Sequence, residues 1–396
     1  MKKYMSIASL LCAAVMCFSC GEIPATISNV TLSSDRNVIR CDGIDAATLS
    51  LVSNDGTVIT EGIELFDNKM NPVVLQNGRF TTQTAGEYTF WAGYKTYISN
   101  QITIKAINAD IPSPAADPKP AGTNFVKRVF LTQFTGTECG YCPGMTNWLN
   151  ALKKDLDMGE KTVLAAVHSE MNSGDPAAIS APQSGSEPFK NKGGVPFLSI
   201  DMCIGWMYYS SYTNLEGATL VKEDIEDRIM EYPATASISV NPVFATDIIP
   251  SSDGTTSDGY IVTTSVKVSE GGNYAVGAWL LEDDIFGRQT IYRQSVTVDK
   301  NYDYDTHNNC VRSIESYNGK DYTGYPLGKL EKGSTANMTF LLKVKKDDPQ
   351  EPNKNWKKEN MHLVVFVTKK NESGKYTVNN VIDCPVDAVT PFEYAN

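Results

Sequence analysis

Hydrophobic and polar residues alternate in short blocks over residues 20–108, and turn residues separate the blocks. The run Tyr88-Thr89-Phe90-Trp91 combines aromatic and β-branched side chains, which suit a strand with a buried face. Turn signals such as Asn77-Gly78 interrupt the pattern repeatedly. Strands at this density over about ninety residues predict an immunoglobulin-like β-sandwich.

The pattern changes across a proline-rich stretch at residues 109–124. This stretch predicts a linker, because proline cannot donate the hydrogen bonds of a β-ladder. Residues 125–233 then mix apolar strand-like runs with segments of helical periodicity. The predicted elements are a strand at 126–134, a helix at 142–156, strands at 162–167 and 195–200, and a helix at 218–230. This order indicates a central α/β domain.

Residues 234–396 return to strand-like blocks that Gly- and Asp-rich turns separate, which predicts a second β-sandwich. The chain is therefore predicted to be a multidomain α/β plus β protein. An N-terminal immunoglobulin-like β-sandwich, the α/β domain and a C-terminal β-sandwich would follow one another.

The first residues indicate export. A basic start, Met1-Lys2-Lys3, precedes an apolar stretch at 5–18 that is too short to span a bilayer comfortably. Its end, Ser19-Cys20, resembles a bacterial lipobox. The resemblance implies a signal peptide of residues 1–19 and a lipid on Cys20, and an ordinary signal peptide is the alternative.

The formal net charge of the chain is −11, and loss of Lys2 and Lys3 with residues 1–19 makes it −13. An acidic protein has no general attraction for nucleic acid, and the chain has no basic patch with interleaved aromatic residues. We therefore expect no nucleic-acid partner.

The clearest candidate for chemistry is the run Cys139-Gly140-Tyr141-Cys142-Pro143, which follows a predicted strand and begins a predicted helix. Free N–H groups and the helix dipole stabilise a thiolate at such a position, and the thiolate is the attacking species in disulfide exchange. This predicts Cys139 as the nucleophile and Cys142 as the resolving thiol. A structural disulfide and half of a zinc site remain as alternatives, although no second CxxC or paired-His motif exists. No metal or other cofactor is expected.

The strand, the CxxC run, the helix and the later run Gly193-Gly194-Val195-Pro196-Phe197 together resemble the thioredoxin fold. The resemblance implies that residues 125–233 form a thioredoxin-like domain. It also implies that Pro196 follows a cis peptide bond facing the cysteine pair, and that Val195 helps to bind the substrate backbone.

The chain departs from the thioredoxin pattern, and the departure at Glu138, together with the large part of the mature chain outside the redox unit, favours a second class of function. Glu138 stands where Trp is usual, and its charge should disfavour the thiolate. The usual final hairpin strand is not evident between Cys203 and Asn214. The alternative is a non-enzymatic interaction protein, an adhesin or scaffold, with a structural disulfide.

The wider layout resembles the twenty-eight-kilodalton outer-membrane-protein family of Bacteroides-type bacteria. The lipoprotein signal and the CxxC unit carry this resemblance together with Trp279-Leu280-Leu281-Glu282-Asp283 and His307-Asn308-Asn309. It implies a lipid-anchored outer-membrane protein. The expected function is thiol–disulfide exchange on envelope proteins or with a redox partner.

The sequence also suggests roles for a histidine, two further cysteines and two acidic runs. His168 is expected to end a strand without a chemical role, with proton transfer near the thiols as the alternative. Cys310 and Cys384 could form a disulfide or remain free thiols. The acidic residues at 282–284 and 303–305 are expected to lie in solvated loops.

Overall fold

The computed structural model describes residues 27–54, 56–169, 174–179, 189, 194–250, 256–317, 321–346, 349 and 355–395. The expected signal peptide at residues 1–19 and the expected lipidation site Cys20 lie outside the described residues. The described part of the chain is mostly β-sheet, with several sheets and two α-helices. The prediction of a β-rich chain is confirmed at this level.

The N-terminal strands form two sheets around one core. They are β1 (Val30–Ser34), β2 (Val38–Arg40), β3 (Ala47–Ser53), β4 (Val58–Ile59), β5 (Ile63–Asp67), β6 (Pro72–Val73), β7 (Arg79–Phe80), β8 (Gly86–Tyr94), β9 (Tyr97–Ile98) and β10 (Ile102–Ile107). One sheet has the order β1-β3-β4 with β7 beside β3, and the other has the order β2-β10-β8-β5-β6 with β9 beside β8. In β3 every second side chain is buried, because successive side chains of a strand point to opposite faces.

The remaining described residues form fourteen strands and both helices. The strands are β11 (Val129–Thr135), β12 (Thr162–His168), β13 (Phe197–Ile200), β14 (Ile204–Met207), β15 (Ala236–Pro250), β16 (Thr256–Val268), β17 (Gly272–Glu282), β18 (Ile285–Phe286), β19 (Thr306–His307), β20 (Cys310–Glu315), β21 (Tyr325–Leu330), β22 (Thr335–Val344), β23 (Met361–Lys370) and β24 (Tyr376–Pro385). The helices are α1 (Cys142–Lys154) and α2 (Asn214–Glu231).

One nine-stranded sheet runs through this part of the chain in the order β14-β13-β11-β12-β20-β17-β23-β24, with β21 beside β17. Strands β11 and β12 are parallel, whereas β13 is antiparallel to β11. Ala166 on β12 pairs with Cys310 on β20, also in parallel. This pairing joins two parts of the chain that the sequence predicts as separate domains, with a boundary between residues 233 and 234. The sheet is continuous across that position.

A three-stranded sheet, β15-β16-β22, packs against the nine-stranded sheet. The shared core includes Ile238, Val262, Leu280, Phe340 and Val365. On its other side, the three-stranded sheet contacts the N-terminal strands through a smaller cluster of buried residues. That cluster consists of Val38, Ile107, Ile248, Ile261 and Leu341.

Both helices pack on the face formed by β11 and β13. Helix α1 ends at Lys154 rather than at residue 156 as predicted. Helix α2 begins at residue 214, four residues before the predicted start, because Thr213 and Glu216 form a capping box. In the described residues, no helix is long and apolar enough to cross a membrane.

The expectation that residues 203–214 lack a strand is wrong. Ile204–Met207 form β14, which pairs with β13 at the edge of the sheet. Only four residues long and half exposed, this strand has too short an alternation to stand out in the sequence.

Candidate redox site

The cysteine pair and Pro196 lie at the same end of the central strands of the nine-stranded sheet. Phe134 on β11 pairs with Phe197 on β13, and Thr135 on β11 pairs with His168 on β12. The C-terminal end of β11, which leads to the cysteines, therefore lies beside the N-terminal end of β13, which follows Pro196. The sequence predicted this proximity through the thioredoxin resemblance.

Cys139 and Cys142 form a disulfide, with their Cα atoms 5.4 Å apart. The N–H of Cys139 donates to the carbonyl of Gly136 at 3.1 Å, and the N–H of Cys142 donates to the carbonyl of Cys139 at 3.1 Å. These turns bring the disulfide to the first residue of α1, where Pro143 occupies the first turn. Once reduced, a thiolate here would face the positive end of the helix dipole.

The Val195–Pro196 peptide bond is cis, as the resemblance implies. Pro196 is buried and Val195 is half buried. Gly194, directly before them, has φ of 107°, a conformation that side chains with a Cβ rarely adopt. The described residues thus contain the disulfide and the cis proline that the sequence predicts.

A segment from the C-terminal part of the chain covers the cysteine motif. We call residues 288–297 the covering segment. The backbone N–H groups of Thr290 and Tyr292 donate to the carbonyls of Thr137 and Gly140 at 2.8 and 2.9 Å. The side-chain Nε2 of Gln289 also donates to three main-chain carbonyls of the loop at residues 136–139. They belong to Thr137 at 3.0 Å, Cys139 at 3.0 Å and Gly136 at 3.3 Å.

Side-chain packing strengthens this cover. The ring of Tyr292 meets that of Tyr141 edge to face, with 5.1 Å between ring centres. It also lies over Gly140, where a Cβ would come within 2.5 Å of the Tyr292 ring. As a result Cys139 is 5% exposed and Cys142 is 1% exposed, whereas Tyr141 between them is 42% exposed. No pattern in the sequence predicts this cover, since its residues are far from the cysteines along the chain.

His168 is the last residue of β12, as expected, and its ring contacts a carboxylate and a thiol. Its Nδ1 lies 2.8 Å from Asp175 Oδ2, and its Nε2 lies 3.6 Å from Cys310 Sγ. The same oxygen of Asp175 accepts the N–H of Thr137 at 2.8 Å, which connects the cluster to the cysteine motif. Sequence reasoning missed it because β12 and β20 become neighbours only in the folded sheet.

The charges in this cluster depend on one another. Burial alone would lower the pKa of His168, but the charge of Cys310 and the hydrogen bond to Asp175 raise it to about 10. Burial would raise the pKa of Asp175, but its hydrogen bond to His168 and the charge of His168 lower it to about 2. Burial and the charge of His168 lower the pKa of His307, whose ring centre lies 5.0 Å from that of His168.

Cys310 and Cys384 do not form the disulfide that the sequence left open. Cys310 contacts His168, whereas Cys384 Sγ donates to the carbonyl of Leu363 at 3.6 Å. Burial raises the pKa of Cys384 to about 12. Cys41 and Cys203 are half-buried free thiols.

One of the acidic residues expected in solvated loops lies elsewhere. Glu282 is not in a solvated loop, because its side chain is buried and accepts a hydrogen bond from Arg312 Nε at 2.6 Å. Among the residues that the structure describes, no group of three or more His, Cys, Asp and Glu side chains could hold a metal ion.

No protein-family model matches the chain, and no curated protein matches it. Among solved structures, the chain is similar to HBP35 of Porphyromonas gingivalis, with 17% sequence identity and a TM-score of 0.44. That similarity covers 67% of this chain and 77% of the other. The chain is also similar to domains 4–9 of the surface layer protein SbsC, with 9% identity and a TM-score of 0.16, over 93% of this chain and 52% of the other. Neither TM-score is high enough to support an inference about fold or function.

Proposed function

We propose that this protein is a thiol–disulfide oxidoreductase that acts on proteins of the bacterial cell envelope. The observation that carries the proposal is the Cys139–Cys142 disulfide at the start of α1, with the cis bond before Pro196 at the same end of the central strands. A helix N-terminus stabilises a thiolate, and an adjacent second thiol resolves the mixed disulfide.

In the reducing direction, the thiolate of Cys139 attacks one sulfur of a substrate disulfide. A new S–S bond forms, and the second substrate sulfur leaves with the bonding electron pair. Cys142 then loses its proton and attacks the Cys139 sulfur, which releases the first substrate sulfur as a thiolate. The substrate gains two electrons, and the cysteine pair is left oxidised. In this proposal Val195 contacts the substrate backbone, and its place directly before Pro196 supports that role.

The finer domain layout is part of the same proposal. We infer a thioredoxin-like unit from the parallel pair β11–β12, the antiparallel pair β13–β14 and the two helices on one face. The two N-terminal sheets with a shared core favour an immunoglobulin-like sandwich, and the packing of β15-β16-β22 on the nine-stranded sheet favours a C-terminal sandwich.

We also propose that the protein belongs to the twenty-eight-kilodalton outer-membrane-protein family and is anchored in the outer membrane by a lipid on Cys20. The support is the lipobox-like sequence at Ser19-Cys20 and the motifs that carry the family resemblance. Growth with labelled palmitate should label the wild-type protein and leave Cys20→Ala unlabelled. Equal label in both proteins would contradict the anchor.

The oxidoreductase proposal is tested by the reduction potential of the Cys139–Cys142 pair, measured by thiol alkylation in glutathione buffers. Exchange proteins have values from about −270 to −120 mV, and structural disulfides lie below about −300 mV. We expect a value in the first range and loss of exchange in Cys139→Ser. A value below the second limit, or unchanged exchange in Cys139→Ser, would contradict the proposal.

The burial of both sulfurs beneath the covering segment favours one alternative, a non-enzymatic adhesin or scaffold with a structural disulfide. An exchange-competent thiol is usually partly exposed. The alternative predicts a disulfide that stays oxidised in every glutathione buffer. It also predicts saturable binding to an envelope or host protein that Cys139→Ser does not weaken.

A further inference from the structure

Cys310, a cysteine outside the exchange site, has the surroundings of a nucleophile. Cys310 begins β20, His168 ends β12, and Asp175 lies in the described loop 174–179. Their side chains form a line in which carboxylate, imidazole and thiol follow at 2.8 and 3.6 Å. We propose that Cys310, His168 and Asp175 form a hydroperoxide-reactive modification site, at which Cys310 is oxidised to a sulfenic acid.

The geometry has the three parts of an activated nucleophile, namely the nucleophile, a base and a group that orients the base. Asp175 is itself held in place, since its two oxygens accept the N–H groups of Thr137 at 2.8 Å and Ala177 at 2.9 Å. The bond from Asp175 to Nδ1 turns the imidazole so that Nε2 faces the sulfur. The ring of His168 is therefore fixed by contacts that do not involve Cys310.

His168 is placed to act as the proton acceptor for the Cys310 thiol. The Nε2 of His168 lies 3.6 Å from Cys310 Sγ, so the imidazole can accept the thiol proton while its Nδ1–H donates to Asp175. His307 is the other titratable ring at this position, and burial together with the charge of His168 lowers its pKa. His307 therefore stays neutral and can donate from Nε2 to the carbonyl of Gly287 at 2.8 Å.

The burial of Cys310 limits which oxidants can reach its sulfur. Cys310 has 0% exposure, as has its neighbour Ala177, and Ile285 packs beside them. A peptide disulfide cannot reach the sulfur without unfolding this region, whereas hydrogen peroxide needs only a small local opening. The thiolate is the form of cysteine that peroxides oxidise, and the product of the first step is the sulfenic acid.

The oxidation step requires only Cys310, His168 and hydrogen peroxide. The Cys310 thiolate attacks one peroxide oxygen, so that an S–O bond forms and the O–O bond breaks. The sulfur loses two electrons, and hydroxide leaves. His168 gives its proton from Nε2 to the hydroxide, which departs as water, and the imidazole is left neutral. Cys139 and Cys142 take no part, so this proposal does not depend on the exchange function.

The test uses the full chain and hydrogen peroxide at pH 7, with a dimedone trap for sulfenic acid and peptide mass spectrometry to locate it. Cys384 is the matched internal control, because it is also buried but contacts a carbonyl instead of an imidazole. We expect Cys310 to be labelled at least about tenfold faster than Cys384, since the thiolate and not the thiol reacts. Equal labelling of the two cysteines would overturn the proposal.

Two variants separate activation from simple access. His168→Gln and Asp175→Asn should each slow labelling of Cys310 by about tenfold or more while the circular dichroism spectrum remains that of the wild type. Unchanged labelling in a folded His168→Gln variant would also overturn the proposal. If either variant fails to fold, the comparison of Cys310 with Cys384 in the wild type decides. Thiol–disulfide exchange by Cys139 should be retained in Cys310→Ser, which keeps the two proposals apart.

Discussion

The side-chain Nε2 of Gln289 donates a hydrogen bond to the main-chain carbonyl of Cys139 at 3.0 Å, although 150 residues separate the two. The same amide reaches the carbonyls of Gly136 and Thr137. One side chain from the C-terminal part of the chain thus holds the loop that carries Cys139. Access to the disulfide therefore depends on contacts far from the motif in sequence.

We predict that Gln289→Glu accelerates reduction of the Cys139–Cys142 disulfide by dithiothreitol by about fivefold or more, because a hydrogen bond contributes about 1 kcal/mol. Glutamate keeps the shape of the side chain but brings no N–H donors to the three carbonyls. The rate would be followed by quenching with a thiol-alkylating reagent and mass spectrometry.

The control for this prediction is Gln101→Glu, since Gln101 is exposed and lies in the N-terminal strand region. Its rate should equal that of the wild type. If Gln289→Glu is reduced no faster than Gln101→Glu, the covering segment does not limit access to the disulfide.

A buried ion cluster supports the same sheet from its other end. Asp201 has 0% exposure, and its Oδ2 lies 3.0 Å from Lys127 Nζ and 3.1 Å from Arg228 Nε. Its Oδ1 accepts the N–H of Phe130 at 2.8 Å. Lys127 Nζ also donates to the carbonyl of Asn379, so the cluster connects the residue after β13 with α2 and β24.

We predict that Asp201→Asn lowers the free energy of unfolding by about 3–5 kcal/mol, because it leaves two buried cations without a counter-charge. Asparagine preserves the shape of the side chain and tolerates the φ of 49° at this position. Urea denaturation followed by circular dichroism would measure the change. Asp227→Asn is the control, since Asp227 is exposed on α2 and should change stability by less than about 0.5 kcal/mol. A similar small effect for Asp201→Asn would contradict the prediction.

The parts of the site that could be predicted from sequence are local ones. A strand, a CxxC pair and a helix follow one another within residues 129–154, so their spacing alone places the disulfide at the helix start. Pro196 could be assigned only through a resemblance. Gln289 and Cys310 could not be assigned at all, because each acts through a contact between strands or loops that are distant along the chain.

The same distinction explains the fold. The alternating pattern of β3 and the helical spacing of α1 are properties of short segments, so both elements could be predicted from the sequence. The continuity of the nine-stranded sheet depends on one pair, Ala166 with Cys310, and neither residue carries a signal for its partner. A predicted boundary at residue 233 therefore could not reveal that strands on its two sides share a sheet.

The last prediction concerns His362, which lies between two carboxylates. Its Nδ1 is 2.6 Å from Asp383 Oδ1, and its Nε2 is 3.6 Å from Asp283 Oδ1. Burial alone would lower the pKa of His362, but the interactions with Asp283 and Asp383 raise it to about 9. A folded-state pKa above the usual 6.5 means that the folded protein binds the proton more tightly than the unfolded chain does.

His362 should therefore stabilise the fold fully below about pH 6.5, and this contribution should disappear as the pH rises through about 9. Its size is at most about 3 kcal/mol, because each pKa unit corresponds to about 1.4 kcal/mol and the carboxylates are partly exposed. His168 contributes a slope of the same sign, so the informative quantity is the difference between the wild type and His362→Gln. We expect the difference in unfolding free energy, measured by urea denaturation from pH 6 to pH 10, to shrink as the pH rises. A difference that stays constant would mean that the two carboxylates do not hold the proton on His362.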